Sequence, residues 1–535
     1  NGIIKGDVFG GGEGQTNSMP YVLGDITVTI NNGNIGRVFG GHDKSGSLSQ
    51  NVSVYLKGGT IGDAFGGGNK SSVTTTNVYQ EASICNNLYG GSNISGDVAN
   101  ANVSITGGNS YNVFGGNNEG GNVTTTHIDV FKGYITNLYG GGNKVPTTTT
   151  NVSISGNDDI ITNVFGGGNA ANATNVNISQ NGANINNLYG GSNTSGSVDK
   201  VIINHQRGTT SNLYGGNNEG GNTINTTINY IDGTSSNLYG GGNKTNSATT
   251  TINITNGSID NLYGGGNEAG IDDTTINIEN GKFQNVFGGA NKSGNVTNTN
   301  ITVTNGTITN LYGGNNAGGN TINPIVTIKN GSIDNLFGGG NLAVADKSDV
   351  TIENGTFKTI YGGGNEASIT NSTMLIINGG NIANNIYGGG NYGTVGKDTT
   401  VLINDATILG SAYAGGNGSL ATVKGNTSIT VNGTTTIGSD TSKAPLSGSL
   451  FGGGNAASTG LESENNSTTV VNIAGATIYG NVYGGANTST IYGKSNVYIG
   501  KNAILENNTN LNYDSTNNAY TNDYSKITFA DTFKS

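Results

Sequence analysis

The stretch that decides the fold is residues 251–267, which read Thr-Ile-Asn-Ile-Thr-Asn-Gly-Ser-Ile-Asp-Asn-Leu-Tyr-Gly-Gly-Gly-Asn. Its first half alternates apolar and polar side chains, which is the period of a β-strand with one buried face. Asn256-Gly257 then supplies the positive φ that a sharp corner needs. The closing glycines let the backbone approach another backbone closely. The stretch therefore predicts short strands joined by tight turns.

An aromatic residue followed by two glycines occurs eighteen times along the chain, and Tyr413, with Ala414 inserted before its two glycines, is a nineteenth copy. From Phe39 to Tyr387, fourteen intervals cover 348 residues, so the mean period is about 25 residues. Asn stands four residues after the aromatic in 17 of the 19 copies, with Glu13 and Asp43 as the exceptions. One such unit cannot bury its own apolar face, so successive units must stack. We predict an all-β fold, a parallel β-solenoid (β-helix) of about 19 rungs, and the general preference of parallel crossovers makes it right-handed.

The composition agrees with a fold that has a narrow core. Of 535 residues, 95 are Gly, 32% are hydrophobic and 10% are charged. Stacked Ile, Val and Leu suffice for a solenoid interior, whereas several globular cores would need more apolar surface. Gly is not every third residue and Pro is nearly absent, which excludes collagen. The glycine excess therefore indicates close stacking rather than disorder.

The repeat predicts the domain organisation. Residues 1–500 are expected to form the solenoid, regular to about residue 400 and irregular beyond it, with an insertion at about 418–445. Residues 501–535 are polar and lack the repeat, which indicates a C-terminal cap or a linker. A longer period of about 100 residues, or four rungs, overlies the short one, because Gly-Asn-Asn-Glu-Gly-Gly-Asn follows both Phe114 and Tyr214. The chain starts in mid-phrase, and we interpret it as a mature chain or an excised part of something longer.

Charge and hydropathy exclude two classes of partner. The net charge is −11, and Arg occurs only at Arg37 and Arg207. Nucleic-acid binding needs clustered cations that release phosphate counterions, so we expect no nucleic-acid partner. No apolar run reaches the roughly 20 residues that span a bilayer, so we expect no membrane insertion in this segment. The single Cys85 cannot form an internal disulfide.

Acidic pairs are the first test for an enzyme, because polysaccharide cleavage on a β-helix needs a paired acid and base or acidic calcium ligands. The candidates are Asp158-Asp159 and Asp272-Asp273. Both pairs are interpreted as solvated turns, and neighbouring residues on a strand point to opposite faces. We therefore expect no catalytic residue.

Metal and cofactor sites are the second test. His42, His127 and His205 lie several rungs apart, so neither a His metal cluster nor a catalytic triad is expected. Acidic residues do follow several glycine phrases and could hold an occasional cation, although ordinary turn charge explains them. These residues are Glu13, Glu119, Glu219, Glu268 and Glu366. We expect no metal and no cofactor.

The Asn that ends each glycine phrase is expected to build a structural ladder, in which side-chain amides hydrogen-bond from rung to rung as in cross-β structures. The predicted ladder consists of Asn69, Asn93, Asn143, Asn169, Asn193, Asn243, Asn267, Asn341 and Asn365. Asn before the Leu of the phrase, as at Asn137 or Asn187, could form a second ladder.

The aromatic column holds 11 Tyr and 8 Phe, and two interpretations stay open. Either the ring is buried with its tip at a wet edge, or the column lies outside as an aromatic stripe. An exposed stripe beside Asn amides would suit carbohydrate, through ring stacking and hydrogen bonds. Its members would be Tyr89, Tyr139, Tyr189, Tyr214, Tyr239, Tyr263, Tyr312 and Tyr361.

In repeat length, in Asn, Thr and Gly bias and in the Gly-Gly-Gly-Asn phrase, the chain resembles bacterial surface β-solenoids such as large repeat adhesins and passenger-like stalks. The resemblance is architectural, covers about residues 1–500, and transfers no site residue. It implies an extracellular or cell-surface rod that spaces or displays a binding surface, with glycan or neighbouring copies of itself as partners and with assembly into fibres. The alternative is a polysaccharide-active or polysaccharide-binding β-helix, lyase-like or tailspike-like. Thr runs such as Thr147–Thr150 resemble ice-binding solenoids less closely, because they are irregular.

Overall fold

A computed structural model describes residues 2–15, 18–46, 49–156, 160–439, 448–500, 511–514 and 519–522. Within these ranges every regular element is a β-strand, and no helix occurs. Strands pair in parallel with the equivalent strands of neighbouring turns and form a parallel β-solenoid of about 18 turns. The predicted fold class is therefore confirmed, and the number of turns is close to the predicted 19. The right-handed sense stays a prediction.

The chain divides into two compact units, Asn1–Asp260 with Gly265–Ile271, and Asn261–Gly264 with Asp272–Ser535. In the first, a typical turn has a long strand, a corner, and a short strand that ends at the aromatic residue. The strands that begin in this unit are β1 (Ile3–Phe9), β2 (Ile26–Ile30), β3 (Asn34–Phe39), β4 (Ser49–Leu56), β5 (Thr60–Phe65), β6 (Val73–Gln80), β7 (Ile84–Tyr89), β8 (Val98–Ile105), β9 (Asn109–Phe114), β10 (Val123–Val130), β11 (Tyr134–Tyr139), β12 (Thr147–Ser155), β13 (Ile160–Phe165), β14 (Ala173–Tyr189), β15 (Val198–Tyr214), β16 (Thr223–Tyr230), β17 (Thr234–Tyr239), β18 (Ser247–Ile254), β19 (Ser258–Tyr263) and β20 (Ile271–Ile278).

The core of the first unit is a set of aliphatic columns that follow from the alternation in the sequence. Ile128 of β10 pairs with Val103 on one side and with Val152 on the other, and all three are at most 2% exposed. Leu138, in the short strand β11 that follows the corner after β10, is likewise fully buried. Because each inward-facing apolar side chain lies over its equivalent in the next turn, a narrow interior is enough to bury these columns.

The alternation is interrupted once in most long strands. Two consecutive outward residues follow the first inward one, as the burial of β10 and β20 shows. Asp272 and Asp273 fall on these two positions of β20 and are both exposed. The expectation that they lie in a turn and point to opposite faces is therefore wrong, because the strand does not keep strict two-residue periodicity at this point. Asp158-Asp159 lies outside the described residues.

The second unit begins with turns of the same kind and then changes its rung shape. From residue 381 on, the short strand of each turn divides into two strands of two residues each. The strands that begin in this unit are β21 (Lys282–Phe287), β22 (Val296–Val303), β23 (Thr307–Tyr312), β24 (Thr321–Ile328), β25 (Ser332–Phe337), β26 (Ser348–Ile352), β27 (Thr356–Tyr361), β28 (Thr373–Ile377), β29 (Asn381–Ile382), β30 (Ile386–Tyr387), β31 (Thr399–Asn404), β32 (Thr407–Ile408), β33 (Ala412–Tyr413), β34 (Thr427–Asn432), β35 (Thr436–Ile437), β36 (Leu450–Phe451), β37 (Ser467–Ile473), β38 (Thr477–Ile478), β39 (Val482–Tyr483), β40 (Gly493–Ile499), β41 (Leu511–Asp514) and β42 (Ala519–Asn522).

A further column of contacts accompanies this change. Ala345, Ile369, Val395 and Val423 join successive turns through isolated parallel bridges and form a buried apolar cluster. Of the predicted insertion, residues 440–447 lie outside the described residues. Of the predicted cap or linker, residues 501–510, 515–518 and 523–535 also lie outside the described residues. The two described segments of this region, β41 and β42, pair antiparallel.

Candidate functional site

The glycine phrases of successive turns lie directly against one another. Gly190 donates its N–H to the carbonyl of Tyr214 at 2.8 Å, and Gly191 donates to Gly216 at 3.1 Å. A buried Thr reinforces such contacts, because the Thr126 hydroxyl donates to the carbonyl of Gly140 at 2.6 Å. The phrase is therefore a point of backbone-to-backbone stacking, and its glycines leave no room for a ligand.

The asparagines that end the phrases stand in one column in each unit. Asn93 donates from Nδ2 to Oδ1 of Asn69 at 2.8 Å, and Asn169 donates in the same way to Asn143 at 2.9 Å. All the predicted ladder residues take part in such bonds. The columns also contain members that the predicted set omits, namely Asn118, Asn218, Asn316, Asn391, Asn417, Asn455 and Asn487.

Each ladder has a direction, since every amide donates towards the N-terminal neighbour. The first residue of a column therefore only has to accept a hydrogen bond, and a carboxylate can do this as well as an amide. Asn69 donates to Oδ1 of Asp43 at 2.7 Å. A second ladder, formed by the Asn before the Leu, starts in the same way, with Asn87 donating to Oδ1 of Asp63 at 2.8 Å. This direction gives a physical reason for Asp43, which departs from the repeated Asn.

The aromatic rings form a buried stack in each unit. From Phe9 to Tyr239, neighbouring centroids lie 4.5–4.9 Å apart with planes within 9° of parallel. The eight tyrosines of the predicted stripe are only 5–8% exposed. Of the two interpretations left open, the exposed stripe is therefore wrong, because each ring is covered by its neighbours in the stack. Burial raises the pKa of Tyr189 and of Tyr361 to about 12, so these phenols stay neutral.

Three of the five acidic residues that follow the glycine phrases, Glu13, Glu119 and Glu219, meet lysines on the next turn. Glu119 lies 3.3 Å from Nζ of Lys144, and Glu219 lies 3.6 Å from Nζ of Lys244, with all four side chains at least half exposed. Glu13 pairs with Lys44 in the same way. Such exposed pairs contribute at most about 1 kcal/mol, but they neutralise the carboxylates that could have attracted a cation.

Other candidate groups are dispersed. Within the described ranges no three His, Cys, Asp or Glu side chains come together as metal ligands, and no helix there is long and apolar enough to cross a membrane. Arg37 pairs with Asp7 at 2.6 Å, and Nε of Arg207 donates to Asn181 at 2.6 Å. Cys85 is buried, and burial raises the pKa of its thiol to about 12, so it is a poor nucleophile.

The histidines are not brought together either. His42 and His205 are buried, whereas His127 is exposed. The His205 ring stacks on Tyr230 with centroids 4.2 Å apart, and its Nδ1 lies 2.9 Å from the carbonyl of Asp232. Nδ1–H therefore donates to that carbonyl in the neutral ring, and Nε2 has no hydrogen-bond partner among the described residues.

His205 predicts an acid-sensitive turn. Burial lowers the pKa of His205 from 6.5 to about 4, so the unfolded chain takes up a proton between these values while the folded chain does not. Stability is therefore lost as the pH falls from 6.5 towards 4, by about 3 kcal/mol at 1.36 kcal/mol per pKa unit. The measurement is urea unfolding at pH 7.0, 5.5 and 4.5.

The matched variant is His205→Gln, because Gln180 occupies the paired position one turn earlier. There its Oε1 accepts from the Thr210 hydroxyl at 2.8 Å, and its Nε2 donates to Ala183 at 2.9 Å. Gln carries no titrating group, so the variant is expected to lose less stability on acidification than the wild type. Equal losses in the two proteins would show that His205 does not titrate on unfolding.

One further set of polar residues explains the four-turn period. The residues are Asn117, Asn217 and Asn315, each fully buried at the position where most phrases have their third glycine. Oδ1 of Asn217 accepts from the N–H of Ser192 at 2.8 Å, and its Nδ2 donates to the carbonyls of Gly196 and Gly220 at 2.7 and 2.9 Å. The amide thus fills an interior space about every fourth turn. The four-turn period is visible in the sequence, but no sequence signal separates the buried Asn from the ladder Asn that follows it.

The columns that repeat are thus structural, and the outer faces of the strands are what a partner can reach. Comparison with protein-family models, with curated proteins and with solved structures found no match.

Proposed function

We propose that this chain is an extracellular, cell-surface scaffold that has a structural and adhesive role and displays a binding surface. The observation that supports this most is that the repeated polar groups are used in hydrogen bonds between neighbouring turns. The ladder amides bond to one another, as Asn93 does to Asn69, and the buried Thr126 hydroxyl bonds to Gly140. Because the repeated residues hold successive turns together, the solenoid is suited to presenting groups on its outer face at a fixed spacing.

The alternative is an enzyme that acts on polysaccharide. Asp272 and Asp273 favour it, since both are exposed side by side on the outer face of β20. One of the two carboxylates is already engaged, because Oδ1 of Asp273 accepts from Nδ2 of Asn298 at 2.5 Å. A pair that works as acid and base needs carboxyls held apart in different environments, which two neighbouring exposed aspartates do not provide.

The experiment that tests the scaffold proposal has a cellular and a chemical part. Antibodies against the purified chain are applied to intact and to permeabilised source cells, and labelling of intact cells is expected. Negative-stain imaging of the labelled material distinguishes single particles, anchored stalks and fibres. In the chemical part, polysaccharides are incubated with the chain and assayed for new reducing ends, and none is expected. Labelling only after permeabilisation, or steady release of reducing sugar, would contradict the proposal.

A further inference from the structure

An exposed apolar cluster lies on the outer face of three consecutive short strands, β7, β9 and β11. Its members are Ile84 in β7, Tyr111 in β9, Tyr134 in β11, and Phe131 in the corner before β11. They are 54%, 57%, 61% and 51% exposed, respectively. We call these four residues the aromatic patch.

The register places the patch on three consecutive turns. Asn109 pairs with Ile84 on one side and with Tyr134 on the other, so these two residues stand in one column, two turns or about 9.6 Å apart. Tyr111 lies on the turn between them, two residues further along β9, and therefore on the same face. These three side chains thus form one surface feature, and Phe131 precedes Tyr134 by three residues in the adjoining corner.

The equivalent positions of other turns show what the fold itself requires there. In β17 they are Thr234 and Ser236, and in β15 they are Thr209 and Ser211. The solenoid therefore does not need apolar side chains at these positions, and exposing such side chains to water is energetically unfavourable. Exposed apolar groups that cluster in this way mark interaction sites.

We propose that the aromatic patch binds a neutral glycan chain; this rests on the proposed function, because it names the ligand of the displayed surface. Tyrosine combines a large apolar ring with a hydroxyl, which matches sugar rings with their apolar faces and polar edges. Asn86 and Asn109 are exposed beside the rings and supply amides for sugar hydroxyls. The charged neighbours in the corners, Glu81 and Lys132, have opposite signs, so the patch does not select a charged ligand.

The size of the patch favours a glycan over a second copy of the chain or another protein. Aromatic side chains bury about 150–250 Å² each, so four half-exposed side chains offer roughly 300–500 Å². A stable protein interface buries about 800 Å² on each partner. The patch falls well short of the area that a standard protein interface needs, which favours a smaller ligand such as a glycan chain.

The test uses the full chain and a variant in which Tyr111→Ser and Tyr134→Thr are combined. These replacements are the residues of β17 at the same positions, so the variant is expected to fold like the wild type, as circular dichroism will check. The control variant combines Tyr392→Ala and Tyr479→Ala, two tyrosines of the second unit that are 51% and 45% exposed. The probes are insoluble cellulose and chitin, soluble β-glucan and dextran, and alginate as an anionic polymer.

Wild type and control are expected to bind at least one neutral polysaccharide, and the patch variant to bind it at least tenfold more weakly. Four results would overturn the proposal. These are no binding by the wild type, equal binding by the patch variant, preference for alginate that salt abolishes, and a dimer in sedimentation that only the patch variant loses. None of them bears on cell-surface labelling, so the scaffold proposal can fail or survive separately.

Discussion

Replacing Gly190 by alanine is expected to destabilise the first unit by about 3 kcal/mol, at the upper end of what overpacking typically costs. A Cβ at this position would stand 2.2 Å from the carbonyl oxygen of Gly215 and 2.6 Å from Cγ1 of Val201. The carbonyl belongs to a backbone that cannot retreat freely, because Gly215 itself donates to the carbonyl of Tyr239 at 2.8 Å. Relief of the clash therefore breaks the stacking of neighbouring turns.

The measurement is the urea midpoint of unfolding, together with limited proteolysis that maps which turns open. The control is Gly24→Ala, because Gly24 is exposed and a Cβ there meets nothing within 4 Å. The control is expected to change the stability by no more than about 0.5 kcal/mol. If Gly190→Ala proved as harmless as Gly24→Ala, the glycines of the phrase would not be there for close stacking.

The same contact explains why the fold could be predicted from the sequence. A glycine phrase that recurs every 25 residues, with an alternating segment between copies, leaves few ways to bury the apolar residues. Each unit of the repeat carries its own strand and corner signals, such as Asn256-Gly257, where Gly257 has a φ of +111°. Local signals and stacking therefore agree, and the parallel solenoid and the ladder register follow from both.

The placement of single columns could be predicted less well, because burial in a solenoid depends on the neighbouring turns. A mixture of Tyr and Phe fits a buried stack and an exposed stripe equally well in sequence. The structure buries Tyr189 and its equivalents, while Tyr111 and Tyr134, which belong to no repeated phrase, are exposed. A signal for the patch does exist in the sequence, since these tyrosines replace Thr, Ser or Asn at equivalent positions of other turns.

Adjacent asparagines show the same difficulty on a smaller scale. Asn217 and Asn218 have the same side chain, yet one is fully buried and the other donates to Asn193 in the ladder at 2.9 Å. Composition and spacing cannot distinguish them. What distinguishes them is the set of partners around each one: the amide of Asn217 meets backbone groups of its own turn and of the preceding turn, whereas the amide of Asn218 meets another side chain.

Asn217→Ala is therefore expected to cost about 4 kcal/mol, although a solvent-exposed Asn can usually be replaced at little cost. The change leaves the N–H of Ser192 and the carbonyls of Gly196 and Gly220 without their side-chain partners in the interior. Each buried polar group left in this way costs about 1–3 kcal/mol, and part of the total is recovered if water enters the vacated space. The measurement is again the urea midpoint, with hydrogen exchange at Ser192 to report the freed N–H.

The matched control is Asn222→Ala, five residues further on, where the side chain is exposed. A structural role for the four-turn period requires that Asn217→Ala lower the urea midpoint and speed exchange at Ser192 while Asn222→Ala does neither. If both variants behaved like the wild type, the buried amide would be dispensable, and the period would be only a trace of duplication. A loss confined to Asn217→Ala would instead mean that the buried amide holds neighbouring turns together, because it bonds to backbone groups from the position where most phrases have their third glycine.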